Sequence, residues 1–565
     1  MVIAQIHGDF HMIGTIQSVD TGNVTIKVSD ESVLNNIQVN QLVWIRSTKT
    51  NERIIGLVSK ILRRALLDSI GEGCDPGVAV ENVVKVELVG TFVEKEGSVR
   101  GRFKRTINTV PSINADANLM EGDELTTFMN AISTDNKNPL SIGRYVISHD
   151  SQANLDGNKF FQRHAIIVGG TGSGKSCTVA NLLEKASKLK SVDALVFDLH
   201  GEYSPLSALR NAKLFKIAGP SATPNDSTSV FLPYWLLSYE EVESMLLDRS
   251  DVNAPNQARI LLDLILKGKQ QCLVTHSKES EFPDITVESP LPYDIRALLC
   301  ELHKKDVEMV PSVRGEKQGP LNGKLTRFIQ RLESKISDKR LNFIFNSSSQ
   351  LLKHDWFEGL ARVLMGFGGE GGLKIIDFSE VPSDILPLIT GLVARLVFSL
   401  QQWMNSEKRH PIALFCDEAH LYIPSSYSDS VEESGLRNFE RIAKEGRKYG
   451  LSLVVISQRP ADVNKTVLSQ CGNFIAMRLS NPDDQSVIKR LFPDNMGGFA
   501  DSLPILDVGE AVIVGDACLL PSRVKIDLPG VMPKSATIDF WTEWGKEKAQ
   551  DGIMEAVKAL RKQSR

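Results

Sequence analysis

The sequence predicts an α/β fold: a parallel sheet around a phosphate-binding loop, split by a helical insertion and preceded by a small β-barrel. Three observations predict it. Residues 165–168 are Ala-Ile-Ile-Val, a run of buried-strand character, and lead directly into Gly-Gly-Thr-Gly-Ser-Gly-Lys-Ser at 169–176. A second apolar run, 412–416, ends in Asp417-Glu418. The first 145 residues show short β-rich runs between turn signals instead.

The loop has the spacing G-x-x-x-x-G-K-S, from Gly169 to Ser176. Glycines allow the backbone to turn so that its N–H groups face phosphate oxygens. The helix behind it, marked by Val179, Leu182, Leu183, Ala186 and Leu189 at helical spacing, aims its N-terminus at the same anion. Gly170, Thr171, Gly172, Ser173, Gly174, Lys175, Ser176 and Cys177 are the predicted nucleotide contacts. Lys175 is expected to reach the β- and γ-phosphates of ATP, and the Ser176 hydroxyl to ligate Mg²⁺. Asp417 is expected to hold the Mg²⁺ shell and Glu418 to polarise the attacking water. Together these features predict a P-loop ATPase core of the RecA/ASCE type.

Composition sets outer bounds. The chain has 565 residues, 42% hydrophobic and 24% charged, enough for several domain-sized cores. A net charge of −4 gives no global basic signature for nucleic acid and leaves a local basic channel open. The most apolar stretch, 386–400, carries Arg395 and is shorter than a membrane span. Asp9 and two histidines interrupt the N-terminus, which therefore does not read as a signal peptide. The seven cysteines (Cys74, Cys177, Cys272, Cys300, Cys416, Cys471 and Cys518) are scattered, with no C-x-x-C, as for free thiols in a reducing cytoplasm.

In chain order, residues 1–145 carry β-runs at 13–19, 23–28, 43–46, 54–58 and 84–92, with a hairpin turn at Thr21-Gly22-Asn23. This barrel is expected to serve assembly or partner docking. His7, Asp9 and His11 alternate along one strand and read as an exposed polar face, with metal ligation as the alternative. Residues 118–137 read as a polar, acidic linker. The first part of the core, 146–204, holds the loop and a strand at 194–197 that ends in Asp198-Leu199-His200-Gly201-Glu202-Tyr203. Asp198 and Glu202 stand where a core strand meets a ligand crevice and are placed to support Mg²⁺ or water, a polar strand end being the alternative.

Residues 205–365 break the strand rhythm and read as helices at 239–247, 256–266, 292–303, 323–336 and 350–367. On the fourth, Lys324, Arg327, Arg331 and Lys335, followed by Lys339 and Arg340, crowd one face; phosphate binding and a solvated basic surface are both open. The second part of the core, 366–530, offers strands at 373–378, 412–416, 451–456, 474–479 and 511–514. Gln458 follows the third and is placed to sense the γ-phosphate or position water. The 437–449 stretch carries Arg441 and Arg447, either surface charges or an arginine finger reaching a neighbouring subunit. The tail, 531–565, is predicted to be a helical brace, with Trp541, Trp544, Ile553, Val557 and Leu560 supplying contacts.

These residues carry a resemblance. The barrel, the loop, Asp-Leu-His-Gly-Glu-Tyr (198–203), the insertion, Asp-Glu-Ala-His (417–420), Glu-Gly-Arg-Lys-Tyr-Gly (445–450) and Ser-Gln-Arg-Pro (457–460) occur in an order that resembles the HerA branch of the FtsK–HerA ATPases. The resemblance implies a homohexameric ring, ATP bound between subunits, and double-stranded DNA translocated through the pore. It implies a partner docked on the barrel: a nuclease of the NurA type in DNA end resection, or a sirtuin-like or nuclease effector in anti-phage defence. It also implies an interface arginine, for which Arg163, Arg441 and Arg447 are candidates. A second reading keeps the same ATP site as a switch, in a ring that scaffolds and licenses a defence effector. No membrane association is implied.

Overall fold

Alternating apolar and polar residues close the N-terminal strands into a barrel. The computed structural model describes residues 11–49, 51–67, 78–93, 102–134, 138–220, 222–248, 250–313, 315–346, 348–367, 371–427, 430–492, 497–535, 539–547 and 552–562. His7, Asp9 and Cys74 lie outside the described residues. The chain divides into two compact units: residues 1–182, 458–461 and 471–529, and residues 183–457, 462–470 and 530–565.

In the first unit, six antiparallel strands run in the order Asn23–Lys27, Met12–Val19, Asp116–Leu119, Leu42–Arg46, Glu52–Leu67 and Val78–Val93, and the last pairs back to the first. Full closure removes the exposed sheet edges. Inward residues Ile16, Val24, Ile26, Val43, Ile45, Ile54, Val58, Val84, Val86, Leu88 and Ala117 are essentially inaccessible. Residues 118 and 119, read from the sequence as linker, complete the strand that closes the barrel. Four residues that alternate polar and apolar, Asp-Ala-Asn-Leu, give too short an alternation to register as a strand. Helix Gly122–Thr134 follows and buries Leu125, Phe128 and Met129. Arg105 then ties the barrel to the sheet of its unit: its guanidinium donates to the carbonyls of Gly515, Cys518 and Leu519.

That sheet runs Ala165–Val168, Asn473–Met477, Glu510–Gly515, Ser522–Ile526, Pro139–Tyr145 and Ser148–Asp156; the first pair is parallel, the rest antiparallel.

The second unit holds six parallel strands in the order Ser229–Val230, Ala212–Ile217, Gly372–Asp377, Asp193–Asp198, Ile412–Cys416 and Leu451–Ser457. The central ones are buried almost throughout and mostly apolar, as strands covered on both faces must be. The two outer strands fall inside the stretch read as mostly helical. Ala212–Ile217 is interrupted by Lys213 and Lys216 and only partly buried, so it lacks the apolar run that marks its neighbours. The helices of the insertion are Tyr239–Leu246, Ala254–Thr275, Ile295–Asp306, Thr326–Ser337 and Trp356–Met365. Arg395, the charge inside the apolar helix Leu386–Trp403, explains itself here. It makes a two-pronged pair with buried Glu241 (2.9 and 2.7 Å), which also accepts the Ser238 N–H as a helix cap. Helices Leu386–Trp403 and Ser430–Glu445 approach at two glycines; a Cβ on Gly391 would stand 2.6 Å from Gly435 Cα. Among the described residues no helix is long and apolar enough to cross a membrane.

One buried charge pair sits in this sheet. Lys374 Nζ bonds the Asp193 carboxylate, with side-chain exposures of 1% and 2%. Removing one partner strands the other charge in the core. Lys374→Ala is expected to lower unfolding free energy by about 3–5 kcal/mol. Lys374→Met combined with Asp193→Leu should recover most of that loss in denaturant melts.

Candidate functional site

The phosphate loop is set by its anchors. Buried Asn473 donates from Nδ2 to the carbonyls of Lys159, Phe160 and His164 (3.0–3.2 Å) and accepts the Ala517 N–H at Oδ1 (2.8 Å). One amide thus fixes the chain on entry to strand Ala165–Val168, including His164 in the left-handed region (φ 53°). Gly170 N–H donates to Arg478 O (2.8 Å) and Gly509 N–H to Ser173 O (2.8 Å), which clamps the loop from both sides. Gly172 (φ 73°) and Gly174 (φ 100°) adopt backbone conformations that L side chains resist. A Cβ on Gly169 would collide with the Ser173 hydroxyl, itself buried without a hydrogen-bond partner. The helix Lys175–Ser187 begins its ladder with Thr178 N–H to Gly174 O (2.9 Å), which leaves the first-turn amides ahead of that point outside the helical ladder, the arrangement that suits an anion. Lys175 is 6% exposed, and Ser176 and Cys177 are half-buried. The Thr171 hydroxyl donates to Gln458 Oε1 (2.8 Å), which brings the sensor candidate to the loop.

The Asp417–Glu418 turn belongs to the second unit. Strand Ile412–Cys416 ends in these two carboxylates, exposed by 2% and 4%. Glu418 lies in the left-handed region (φ 45°), a conformation that costs an L residue on the order of 1–2 kcal/mol and marks functional turns. His420 Nδ1 stands 3.4 Å from Glu418 Oε2 and 3.2 Å from Ser457 Oγ. Sequence reasoning passed over His420, Ser457 and Asn473; the histidine in Asp-Glu-Ala-His was the available signal. Burial pushes the Cys416 thiol up to about 12, which suits a packing residue. Burial, then the charges of Asp417, Glu202, Asp198 and Glu418, push the Tyr203 phenol well above its ordinary value.

Asp198 takes the structural alternative. Its oxygens accept the N–H groups of Glu202 (3.0 Å) and Tyr203 (2.9 Å) and so cap the turn after its strand. Burial raises its carboxyl to about 6, against the Tyr203 N–H that lowers it and with the Asp377 charge that raises it further.

The three candidate arginines differ. Arg163 pairs with Asp516 (3.4 Å). Arg441 lies over the Phe398 ring (4.5 Å) and reaches Gln402 (3.2 Å) and Glu445 (3.9 Å). Arg447 is exposed on the turn Gly446–Tyr449, and no described carboxylate lies within 4.0 Å of it. The basic face of helix Thr326–Ser337 is largely neutralised: Arg331 pairs with Asp248 (3.1 Å), Lys335 with Asp384 (4.0 Å) and Arg340 with Asp338 (2.6 Å), while Lys324 bonds Pro320 O (2.8 Å). These pairings favour the solvated-surface reading.

Comparison with known proteins decides the family. The model described as "Helicase HerA, central domain" matches residues 140–397, and that described as "Helicase HerA-like C-terminal" matches residues 388–534. The chain belongs to the HerA-like ATPases. The DNA double-strand break repair helicase HerA of Sulfurisphaera tokodaii is 26% identical over 517 residues, 88% of this chain and 91% of that protein. The protein of the same description from Saccharolobus solfataricus is 28% identical over 402 residues, 70% of each chain. Among solved structures, VirB4 of Thermoanaerobacter pseudethanolicus aligns over 69% of this chain and 97% of its own at 16% identity, with a TM-score of 0.45. The HerA-like chain is an ATP hydrolase with an α/β P-loop core behind a closed six-stranded barrel.

The raised Asp198 carboxyl has a signed consequence. A carboxyl with a folded-state value above its unfolded 3.8 favours folding most at low pH, and this contribution is lost as pH rises toward 6. The stability of Asp198→Asn relative to the wild type should therefore rise between pH 4 and 6, by at most about 3 kcal/mol. Paired thermal melts across that range check it.

Proposed function

We propose that this HerA-like ATPase is a double-stranded DNA translocase, working as a homohexameric ring whose barrels dock a partner nuclease or effector. The observation that carries the reading is the unbroken run of HerA central and C-terminal family matches over residues 140–534. The relatives described as DNA double-strand break repair helicases support it.

The chemistry follows from this chain's own residues. The loop amides that are not already bonded within the loop or to Arg478 O, together with the Lys175 ammonium, bind the phosphates of ATP. The clamped glycine loop, its buried Ser173 hydroxyl and the oxygen donors of Ser176 and Asp417 suit a nucleotide with Mg²⁺, since hard cations take oxygen ligands. Ser176 and Asp417 would hold the ion, which supplies positive charge to the β- and γ-phosphate oxygens. Glu418 takes a proton from water as the oxygen attacks the γ-phosphorus and the bond to the β-phosphate oxygen breaks. Gln458, already hydrogen-bonded to Thr171, orients that water or reports the γ-phosphate. Arg447 is the arginine best suited to act on a neighbour's nucleotide, because Arg163 and Arg441 are engaged on their own chain. Neither HerA match includes the barrel strands of residues 12–119, so the docking role rests on the resemblance.

Lys175→Ala should weaken nucleotide binding, read by a fluorescent ATP analogue. Glu418→Gln should keep binding and cut turnover by about 100-fold or more. Undiminished turnover in Glu418→Gln would remove it as the base.

The shared site has its own test. Arg447→Ala and Lys175→Ala proteins should each be nearly inactive alone, and mixing them should restore part of the activity at interfaces carrying both intact residues. No recovery in any mixture would rule out Arg447 acting in trans.

A further inference from the structure

Strand Glu510–Gly515 runs antiparallel to Asn473–Met477, so its first residue stands at the sheet end where strand Ala165–Val168 delivers the phosphate loop. The chain enters that strand through the turn of residues 503–510, and the turn touches the loop. Gly509 N–H donates to Ser173 O (2.8 Å), and a Cβ on Gly174 would lie 3.3 Å from Gly509 Cα. The bond is to a loop carbonyl and takes up none of the loop's N–H groups. The turn itself is firmly held. Lys525 Nζ donates to Val508 O (2.7 Å), Ile526 N–H to Gly509 O (2.9 Å), Glu510 N–H to Asp507 O (3.0 Å) and Asp507 N–H to Glu510 Oε2 (3.1 Å). Leu503 and Leu506 anchor it in the core, whereas Ile505 and Val508 are 73% and 55% exposed. A fixed turn, bonded to a loop built for a polyanion, thus displays two apolar side chains to solvent. Phosphate recognition has no use for them. A nucleotide, however, carries a purine as well as phosphates, and a purine face gains free energy by leaving water.

We propose that this turn is the seat of the adenine of ATP, with Val508 and Ile505 packed on the ring and Gly509 fixing their place relative to the phosphates. This rests on the reading of residues 169–176 as the phosphate loop. The occupant follows from continuity: base and phosphates are one covalent ligand, and the turn is bonded to the loop that takes the phosphates. Because the backbone around Val508 and Gly509 is already hydrogen-bonded, binding the base need not order it, and the apolar contact adds directly to affinity.

The test compares two ligands that share a triphosphate and differ in the nucleoside: a β,γ-imido analogue of ATP and inorganic tripolyphosphate, each titrated with Mg²⁺ into the full chain by calorimetry. Wild type should bind the analogue more tightly than tripolyphosphate. Val508→Ser should weaken the analogue about 3-fold and Val508→Ser/Ile505→Ser about 10-fold, the loss of one and then two partial apolar contacts, with tripolyphosphate unchanged. Val508→Leu, which keeps the apolar surface, should stay near wild type. Both positions are exposed, so thermal melts should not move. Equal weakening of both ligands, or no weakening of either in the double variant, would overturn the proposal. So would a double variant whose only change is in the mass of the assembly by light scattering, which would make the two residues a contact between copies of the chain. Lys175→Ala should weaken both ligands; if it weakens neither, the phosphate-loop reading fails instead, and the two failures are told apart.

Discussion

Four carboxylates, Asp198, Asp377, Asp417 and Glu418, stand at the C-terminal ends of three adjacent parallel strands in the second unit, and three of them are almost fully buried. Like charges gathered in a low-dielectric setting repel, and each pays for desolvation. The protein answers with specific devices. Asp198 is committed to two backbone N–H groups and its proton is held more tightly. Glu418 is turned into a left-handed conformation and set beside His420. What remains is a concentration of buried carboxylates at one end of the second unit's sheet.

The loop that receives the triphosphate depends on a different economy of forces. A polyphosphate needs several N–H donors pointed one way, so the backbone must be held open at some conformational cost. Asn473 fixes the entrance, Arg478 O and Gly509 N–H clamp the sides, and glycines occupy the left-handed positions. The side-chain amide of Gln458, the residue that follows Ser457, accepts the Thr171 hydroxyl of the loop.

Local signals carried much of this. The glycine spacing of the loop, the apolar runs 165–168 and 412–416, and the five barrel runs are contiguous in sequence, and contiguous signals can be read without a structure. What stayed hidden depends on partners distant in sequence. The basic stripe near helix Thr326–Ser337 left phosphate binding and a solvated surface both open in the sequence, because its partners Asp248 and Asp384 come from other elements. Asn473 carries no motif, and its role exists only once strand Asn473–Met477 lies beside Ala165–Val168. Short strands interrupted by polar residues, Asp116–Leu119 and Ala212–Ile217, fall below what periodicity resolves. The arginines divide in the same way: three equal candidates in sequence become two engaged side chains and one exposed one.

The central claim is that ATP hydrolysis here drives movement on duplex DNA. Its most direct test is steady-state ATP turnover by the purified chain with and without linear double-stranded DNA, across a salt series, with Glu418→Gln as the blank. The account predicts severalfold stimulation by DNA that fades as salt rises, since phosphate contacts release counterions. Turnover indifferent to DNA at every salt concentration would contradict it and would favour an ATP-switched scaffold for an effector.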